Sequence, residues 1–410
     1  MKKSMIAAGA ACFLSFSTLG CDFTHHQSPS NFELQNPAVL ITQGFWASQA
    51  SDRLHLGGET TGFGSLKRDG KVDFALVTPS LSRMDLLNFD LSTLISPESD
   101  PITVVGKQFD LPSNISLPDQ TENYLFISIH LNKPGFRTFV KNPGSYTFSA
   151  LRGQFPVKEV VDDFRNHKSI FDILNRFQFL GGGQIDADLT TSIDNQSISV
   201  DQFTFDQETE VTGPQVADGQ LVFSLTLSDN QGKLSPVDLK RLIPGKTQKL
   251  KLASQGEAYL LSALTVKKSG EEMPDFSRLS LSLLPVGFSA TPDFLPLTES
   301  PSYADEVLTL HPPQLTADQE PVAVYVTFSE IKPIGSGSVK TEEKNTLWES
   351  WTDGFSTELK VPALNYDKKP GYSYRFEVLY LVHDRRVAVT EGAEALDRVT
   401  HISRNLVEVE

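Results

Sequence analysis

Residues 322–328 read VAVYVTF and residues 372–380 read YSYRFEVLY. In the first, Val322, Val324, Val326 and Phe328 alternate with Ala323, Tyr325 and Thr327. In the second, Tyr372, Tyr374, Phe376, Val378 and Tyr380 alternate with Ser373, Arg375, Glu377 and Leu379. Successive side chains of an extended chain point to opposite faces, so a period of two predicts strands. The same period recurs in Leu125, Ile127, Ile129 and Leu131, and in Leu221, Phe223, Leu225 and Leu227. It returns in Leu279, Leu281 and Leu283, which alternate with serines. Turns rich in Gly, Pro and Asn bound these runs. Many short strands at this spacing predict a mainly β chain built of several antiparallel, sandwich-like domains. His130 and His383 fall at the ends of such strands and are expected on a strand face or rim.

One stretch follows a different period. Val157, Val160, Val161 and Phe164 have helical spacing, and Ile170, Ile173, Leu174 and Phe177 continue it after Asn166-His167-Lys168. This predicts a short two-helix insertion over 157–180, with Gly181-Gly182-Gly183 stopping the second helix. Composition then divides the chain. A leader covers 1–20 and a flexible tether 21–49. A β-rich domain carrying the insertion covers 50–208, a second β domain 218–300 and a third 315–410. The polar stretch 206–219 and the proline-rich stretch 285–315 are read as the linkers.

The chain has 410 residues, 21% charged and 39% hydrophobic, which is a core-forming composition. Lys and Arg number 36 against 51 Asp and Glu, a formal charge of −15. Such a balance offers no general attraction to nucleic acid or to anionic lipid. With only 2 cysteines, a disulfide-dense scaffold and a Cys-built zinc or iron–sulfur site are excluded.

Lys2 and Lys3 precede an apolar or small run from Met5 to Leu19, which ends in Ser17-Thr18-Leu19-Gly20-Cys21. The run is too short to span a bilayer comfortably and fits the apolar region of a secretory signal. Its end resembles the lipobox of bacterial lipoproteins, although Thr18 and Leu19 stand in the reverse of the usual order. The resemblance implies cleavage before Cys21 and a diacylglyceryl thioether on its sulfur. The alternative is an ordinary signal peptide with an incidental cysteine, although no Ala-x-Ala site follows the run. Cleavage would remove Cys12, leave Cys21 as the anchor and give a mature chain without disulfides. Asp22 resembles the inner-membrane retention signal of enteric bacteria, and the choice between inner and outer membrane stays open. His25 and His26 in DFTHHQSPSNFELQNPA (22–38) are read as solvated tether.

Residues 357–382, TELKVPALNYDKKPGYSYRFEVLYLV, resemble the E–F region of fibronectin type III and related immunoglobulin-like modules. Leu364, Pro370, Gly371, Tyr372 and Tyr374 stand at the places of that pattern. The resemblance implies a sandwich with a corner tyrosine, either Tyr372 or Tyr374, whose ring enters the core while its hydroxyl bonds backbone. Trp348 and Trp351, in LWESWTDG, are placed on a middle strand of this block.

No HExxH, GxSxG, GxGxxG or Cys-x-x-Cys occurs. Pro244-Gly245-Lys246-Thr247 lacks the first glycine of a phosphate loop, because position 240 is Lys240, and it reads as a turn. Asp186, Asp188, Asp194 and Asn195 could suggest calcium, but Thr190 stands at the third ligand position and the loop glycine is missing. Carboxylate pairs and Ser/His/Asp triads are recognised by geometry, so the sequence leaves them open. Residues 132–180 are net basic, with Lys133, Arg137, Lys141 and Arg152 interleaved with Phe136, Phe139, Tyr146, Phe148 and Phe155. Such a surface could bind an anionic envelope polymer; alternatively the aromatics are core and the bases meet acidic faces.

The expected function is therefore that of a lipid-anchored bacterial envelope protein, exported and acting as a binding or structural module. Its expected partners are the membrane, through the lipid on Cys21, and an envelope polymer or protein, without nucleic acid, metal or cofactor. The alternative is an envelope hydrolase whose site is assembled from distant residues.

Overall fold

A computed structural model describes residues 54–63, 71–82, 102–104, 114–118, 124–128, 135–140, 143–166, 175–267, 274–334, 341–363, 367–388 and 395–409. Within them the chain is mainly β, in several antiparallel sheets stacked in sandwich-like pairs.

The first pair joins a three-stranded sheet to a five-stranded one. The smaller sheet has β1 (Leu54–Thr61) between β6 (Gly135–Val140) and β9 (Ile193–Ser199). The larger runs β10 (Phe203–Thr204), β8 (Gln178–Leu189), β7 (Gly144–Pro156), β2 (Lys71–Pro79) and β3 (Ile102–Val104). Leu56, Ala75, Val77, Phe136, Phe148, Ala150, Leu189 and Ile198 form the core between them. The pairing of β1 with β9 is parallel, an exception to the expected antiparallel plan. A separate hairpin joins β4 (Asn114–Pro118) to β5 (Tyr124–Ser128).

Helix α1 (Val157–Arg165) forms where the first helical period was read. The expected second helix falls mostly on 167–174, outside the described residues, and Phe177 is buried beside Phe74 and Phe155. The glycine triplet is not a helix stop. Gly181, Gly182 and Gly183 lie inside β8, where backbone comes too close for a side chain. A Cβ on Gly181 would stand 2.7 Å from the Phe203 carbonyl oxygen, and one on Gly182 2.6 Å from that of Ala150. Glycine here permits close approach of strands rather than a left-handed turn.

The remaining described strands are organised by one eight-stranded sheet. Its order is β13 (Lys233–Leu242), β12 (Gln220–Asn230), β15 (Glu257–Lys267), β16 (Pro274–Pro285), β23 (His401–Val409), β22 (Ser373–Asp384), β19 (Gln319–Ile334) and β20 (Thr341–Asp353). A two-stranded sheet of β11 (Gln207–Thr212) and β14 (Thr247–Leu252) covers one half, packing Val211 and Leu250 on Val222, Leu260 and Leu264. A three-stranded sheet of β17 (Ser302–Ala304), β18 (Val307–Thr309) and β21 (Glu358–Lys360) covers the other. There Leu308, Leu310 and Val361 meet Val324, Phe328, Phe376 and Tyr380. Strand β23 pairs with β16 on one side and β22 on the other, so the hydrogen-bond ladder is continuous across both halves. A 3-10 turn, Ala395–Arg398, leads into it.

The stretches read as linkers carry structure. Residues 206–219 contain β11, and 285–315 contain β17 and β18 with the buried Leu295, Leu308 and Leu310. Leu364 lies outside the described residues. Lys369-Pro370-Gly371-Tyr372 makes a turn with Gly371 at φ 82° and the Tyr372 N–H on the Lys369 carbonyl at 3.2 Å. Proline presets the second position of such a turn, and only glycine takes the third without strain. Of the two tyrosines, Tyr374 is the buried one whose hydroxyl reaches back to the turn. It accepts the Lys369 N–H at 3.0 Å and lies 3.2 Å from the Asp367 carbonyl.

Candidate functional site

The residues singled out in the sequence do not converge. Cys21, Lys133 and Lys141, with the tether histidines and His130, lie outside the described residues. Arg137 stands exposed on β6, 3.8 Å from Asp194, whose carboxylate also meets His55 Nε2 at 3.1 Å. Arg152 turns inward on β7. Its guanidinium is 3.6 Å from the buried Asp73, donates to the Gly62 carbonyl at 3.2 Å and lies over the Phe63 ring. Gln154 donates to the same Asp73 at 2.9 Å. Phe136, Phe148 and Phe155 are core. Asp186 accepts from the Thr147 hydroxyl at 2.6 Å, away from the Asp194 contacts. No group of three metal-ligating side chains occurs among the described residues. Pro244–Thr247 is a turn, with Gly245 at φ 70°.

The structure draws together a different set. On β16, Leu279 and Leu281 face one way and Ser280 and Ser282 the other, and all four are buried. The register aligns Ser224, Ser262, Ser282 and His401 across four neighbouring strands, with Ser280 beside Ser403 and Arg278 beside Asn405. This polar seam runs between the apolar cores of the two halves. The segment after β16 closes over it: Arg278 donates to the Thr298 carbonyl at 2.7 Å and Asn405 to the Thr298 hydroxyl at 2.6 Å. Ser224 and Ser262 bond each other at 2.6 Å. Ser280 Oγ, Ser403 Oγ, Asn405 Oδ1 and His401 Nε2 are buried without a hydrogen-bond partner. Buried polar atoms are almost always partnered, so four orphans on two adjacent strands mark this seam as unusual.

At one end the seam meets a charged cluster. Thr400 Oγ1 accepts the Asp384 N–H at 2.8 Å, lies 2.9 Å from His401 Nδ1, and donates to the Val382 carbonyl at 3.2 Å. The direction of the Thr400–His401 hydrogen bond follows the histidine tautomer, and Nε2 is buried without a partner in either case. Asp384 is fully buried and takes a two-pronged bond from Arg386, which holds its carboxyl below the usual carboxylate range. The Arg386 guanidinium lies 3.8 Å from both Asp293 and Asp318 and over the Phe288 ring. His383 Nδ1 meets the Arg398 carbonyl at 2.7 Å. A narrow cleft beside the seam, lined by Ser282, Leu284, Val211 and Thr291, has room for about one water, at 10 Å³. Ser282 stands opposite His401 in register but makes no hydrogen bond to Nε2, the contact an activated serine requires.

Burial lowers the pKa of His401 below its ordinary 6.5. Arg386 and His383 add to the effect, and Asp293 and Asp384 oppose it. A group whose folded pKa is depressed takes up its proton sooner in the unfolded chain, so its contribution is present above the unfolded pKa and lost as pH falls below it. Urea unfolding between pH 7.5 and 5 will therefore show stability falling below about pH 6.5, by at most about 1.4 kcal/mol per pH unit for one proton. His401→Gln removes that component of the slope. An unchanged slope in the variant would assign the pH dependence elsewhere.

A second buried charge cluster sits on the opposite face of the sheet. Glu377 on β22 lies between Lys344, at 2.6 Å, and Arg404. Burial alone would raise the pKa of its carboxyl, but the two cations hold it down at about 2. Sequence reasoning missed both clusters. The alternating serines of β16 were visible, but their burial was not.

No protein-family model matches the chain, and no curated protein is similar to it.

Proposed function

We propose that the chain is a lipid-anchored protein of the bacterial cell envelope, acting as a binding or structural module. The observation that supports the second half is how the buried ionisable groups are used. Glu377 is neutralised by Lys344 and Arg404, Asp384 by Arg386, and Asp73 lies against Arg152 and Gln154. Each holds neighbouring strands or turns together. Chemistry of this kind fixes a scaffold, and it leaves recognition to exposed side chains such as Arg137. An envelope polymer or a protein is the proposed partner, and nucleic acid is not, given a net charge of −15.

The first half rests on the sequence: Lys2 and Lys3, the apolar run to Leu19, and Gly20-Cys21. The lipid on Cys21 would hold the protein at the inner or outer membrane. Cys21→Ser removes the acylated sulfur, and the protein is then expected in the soluble fraction of lysed cells. Retention of the variant in the membrane fraction would refute the anchor.

A further inference from the structure

Strand β20 ends the eight-stranded sheet, and among the described strands it pairs only with β19. At 13 residues it is a long edge. Edge strands present unpaired backbone N–H and C=O groups, and natural proteins usually blunt them by shortness, charge or cover. This one carries charge at Glu342, Glu343, Lys344, Glu349 and Asp353 and a bulge, yet it also exposes two large hydrophobics, Leu347 at 40% and Trp351 at 43%. Leu347 is the extra residue where the register slips between Phe328–Trp348 and Ser329–Thr346.

Trp351 is held in place from below. Its ring stacks on Tyr325 at 4.0 Å and 21°, and the Tyr325 hydroxyl donates to Glu349 at 2.9 Å. Along the strand, Glu349, Trp351 and Asp353 alternate onto one face, so two carboxylates flank a rigid, exposed indole. A cation over an indole face is favoured by the ring quadrupole, and more so between carboxylates. The only cation on β20, Lys344, is turned to Glu377.

The geometry points to β20 as a docking edge for an extended, basic segment of a partner protein. The segment adds a strand to the sheet and sets a Lys or Arg over Trp351. A second copy of this chain fits poorly. Its own β20 has no free cation, and pairing the two strands about Trp351 sets Glu349 against Asp353. The inference rests on the binding reading above and names the partner chemistry for it.

The test uses the detergent-solubilised full chain and two synthetic nine-residue peptides of alternating Thr and Val. One carries Lys and Arg at alternate positions; the other carries Glu there. The basic peptide is expected to bind and to slow amide hydrogen exchange along β20, and the acidic one to do neither. Trp351→Ala and Asp353→Lys each weaken binding at least tenfold. Both side chains are exposed, and an unchanged thermal midpoint confirms the fold of each variant. Equal protection by both peptides, no protection by the basic one, or undiminished binding by both variants overturns the proposal. So does protection of β20 that rises with protein concentration alone, which would assign the edge to self-association. Binding to isolated envelopes separates the two readings. If envelopes bind while β20 stays unprotected, only the docking edge fails; if neither binds, the binding function fails with it.

Discussion

A chain ending at Thr400 is expected to lose the cooperative unfolding of both C-terminal halves at once. The deletion removes β23, which contributes the buried Ile402, Ser403, Arg404 and Asn405 and, among the described strands, alone joins β16 to β22. Its loss turns two interior strands into edges and uncovers apolar side chains on both. It also takes Arg404 from Glu377 and His401 from the polar seam. Losing a buried large apolar side chain such as Ile402 costs about 2–5 kcal/mol, and the ladder hydrogen bonds to both neighbours are lost besides. A domain is typically stable by only about 5–15 kcal/mol, so no folded form of either half should survive. Circular dichroism through a thermal ramp should show no sharp transition for these sheets, and amides of β12 and β22 should exchange together. If β12 and β15 kept their protection while β22 lost it, the eight strands would be two independent sheets in contact rather than one.

The second large effect belongs to Glu377. Glu377→Ala leaves the buried Arg404 and the mostly covered Lys344 charged with no counter-ion, a change that typically costs about 3–5 kcal/mol. The loss appears as a lowered urea midpoint. The pH dependence follows from the depressed carboxyl. Its stabilisation is complete above the unfolded value of about 4.3 and is lost as pH falls toward the folded value of about 2. The variant should lack that acid-side loss. Replacing all three, with Glu377→Leu, Lys344→Met and Arg404→Leu, restores or raises the midpoint, because an apolar trio avoids the cost of desolvating charges. A stable Glu377→Ala protein would mean that water reaches the two cations.

What the sequence reveals depends on length and period. Strands such as β19, β22 and β12 are long enough to repeat their alternation several times, and they form where it was read. Strands β17 and β18 have three residues each and show no period, so a proline-rich stretch reads as a linker although it supplies Leu308 to a core. Alternation also misleads when both faces are covered. Ser280 and Ser282 alternate with leucines, a pattern that usually marks one wet face, yet they lie inside, against the segment that follows β16. Likewise Arg152 and Arg137 look alike as bases, but strand direction sends one to Asp73 and the other to solvent. LWESWTDG reads as a middle strand, but β20 stands at an edge, because sheet order follows pairings distant in sequence. The Asp293, Asp384 and His401 cluster is equally non-local and has no motif to give it away.

The proposed lipid anchor at Cys21 decides whether this scaffold works at the envelope. Intact mass of the protein extracted from membranes is the most direct measurement. The expected species is a chain that begins at Cys21, without residues 1–20, and carries the added mass of diacylglycerol and its acyl chains. A mature N-terminus at any other residue, or an unmodified Cys21 on a protein released in soluble form, would contradict the anchor.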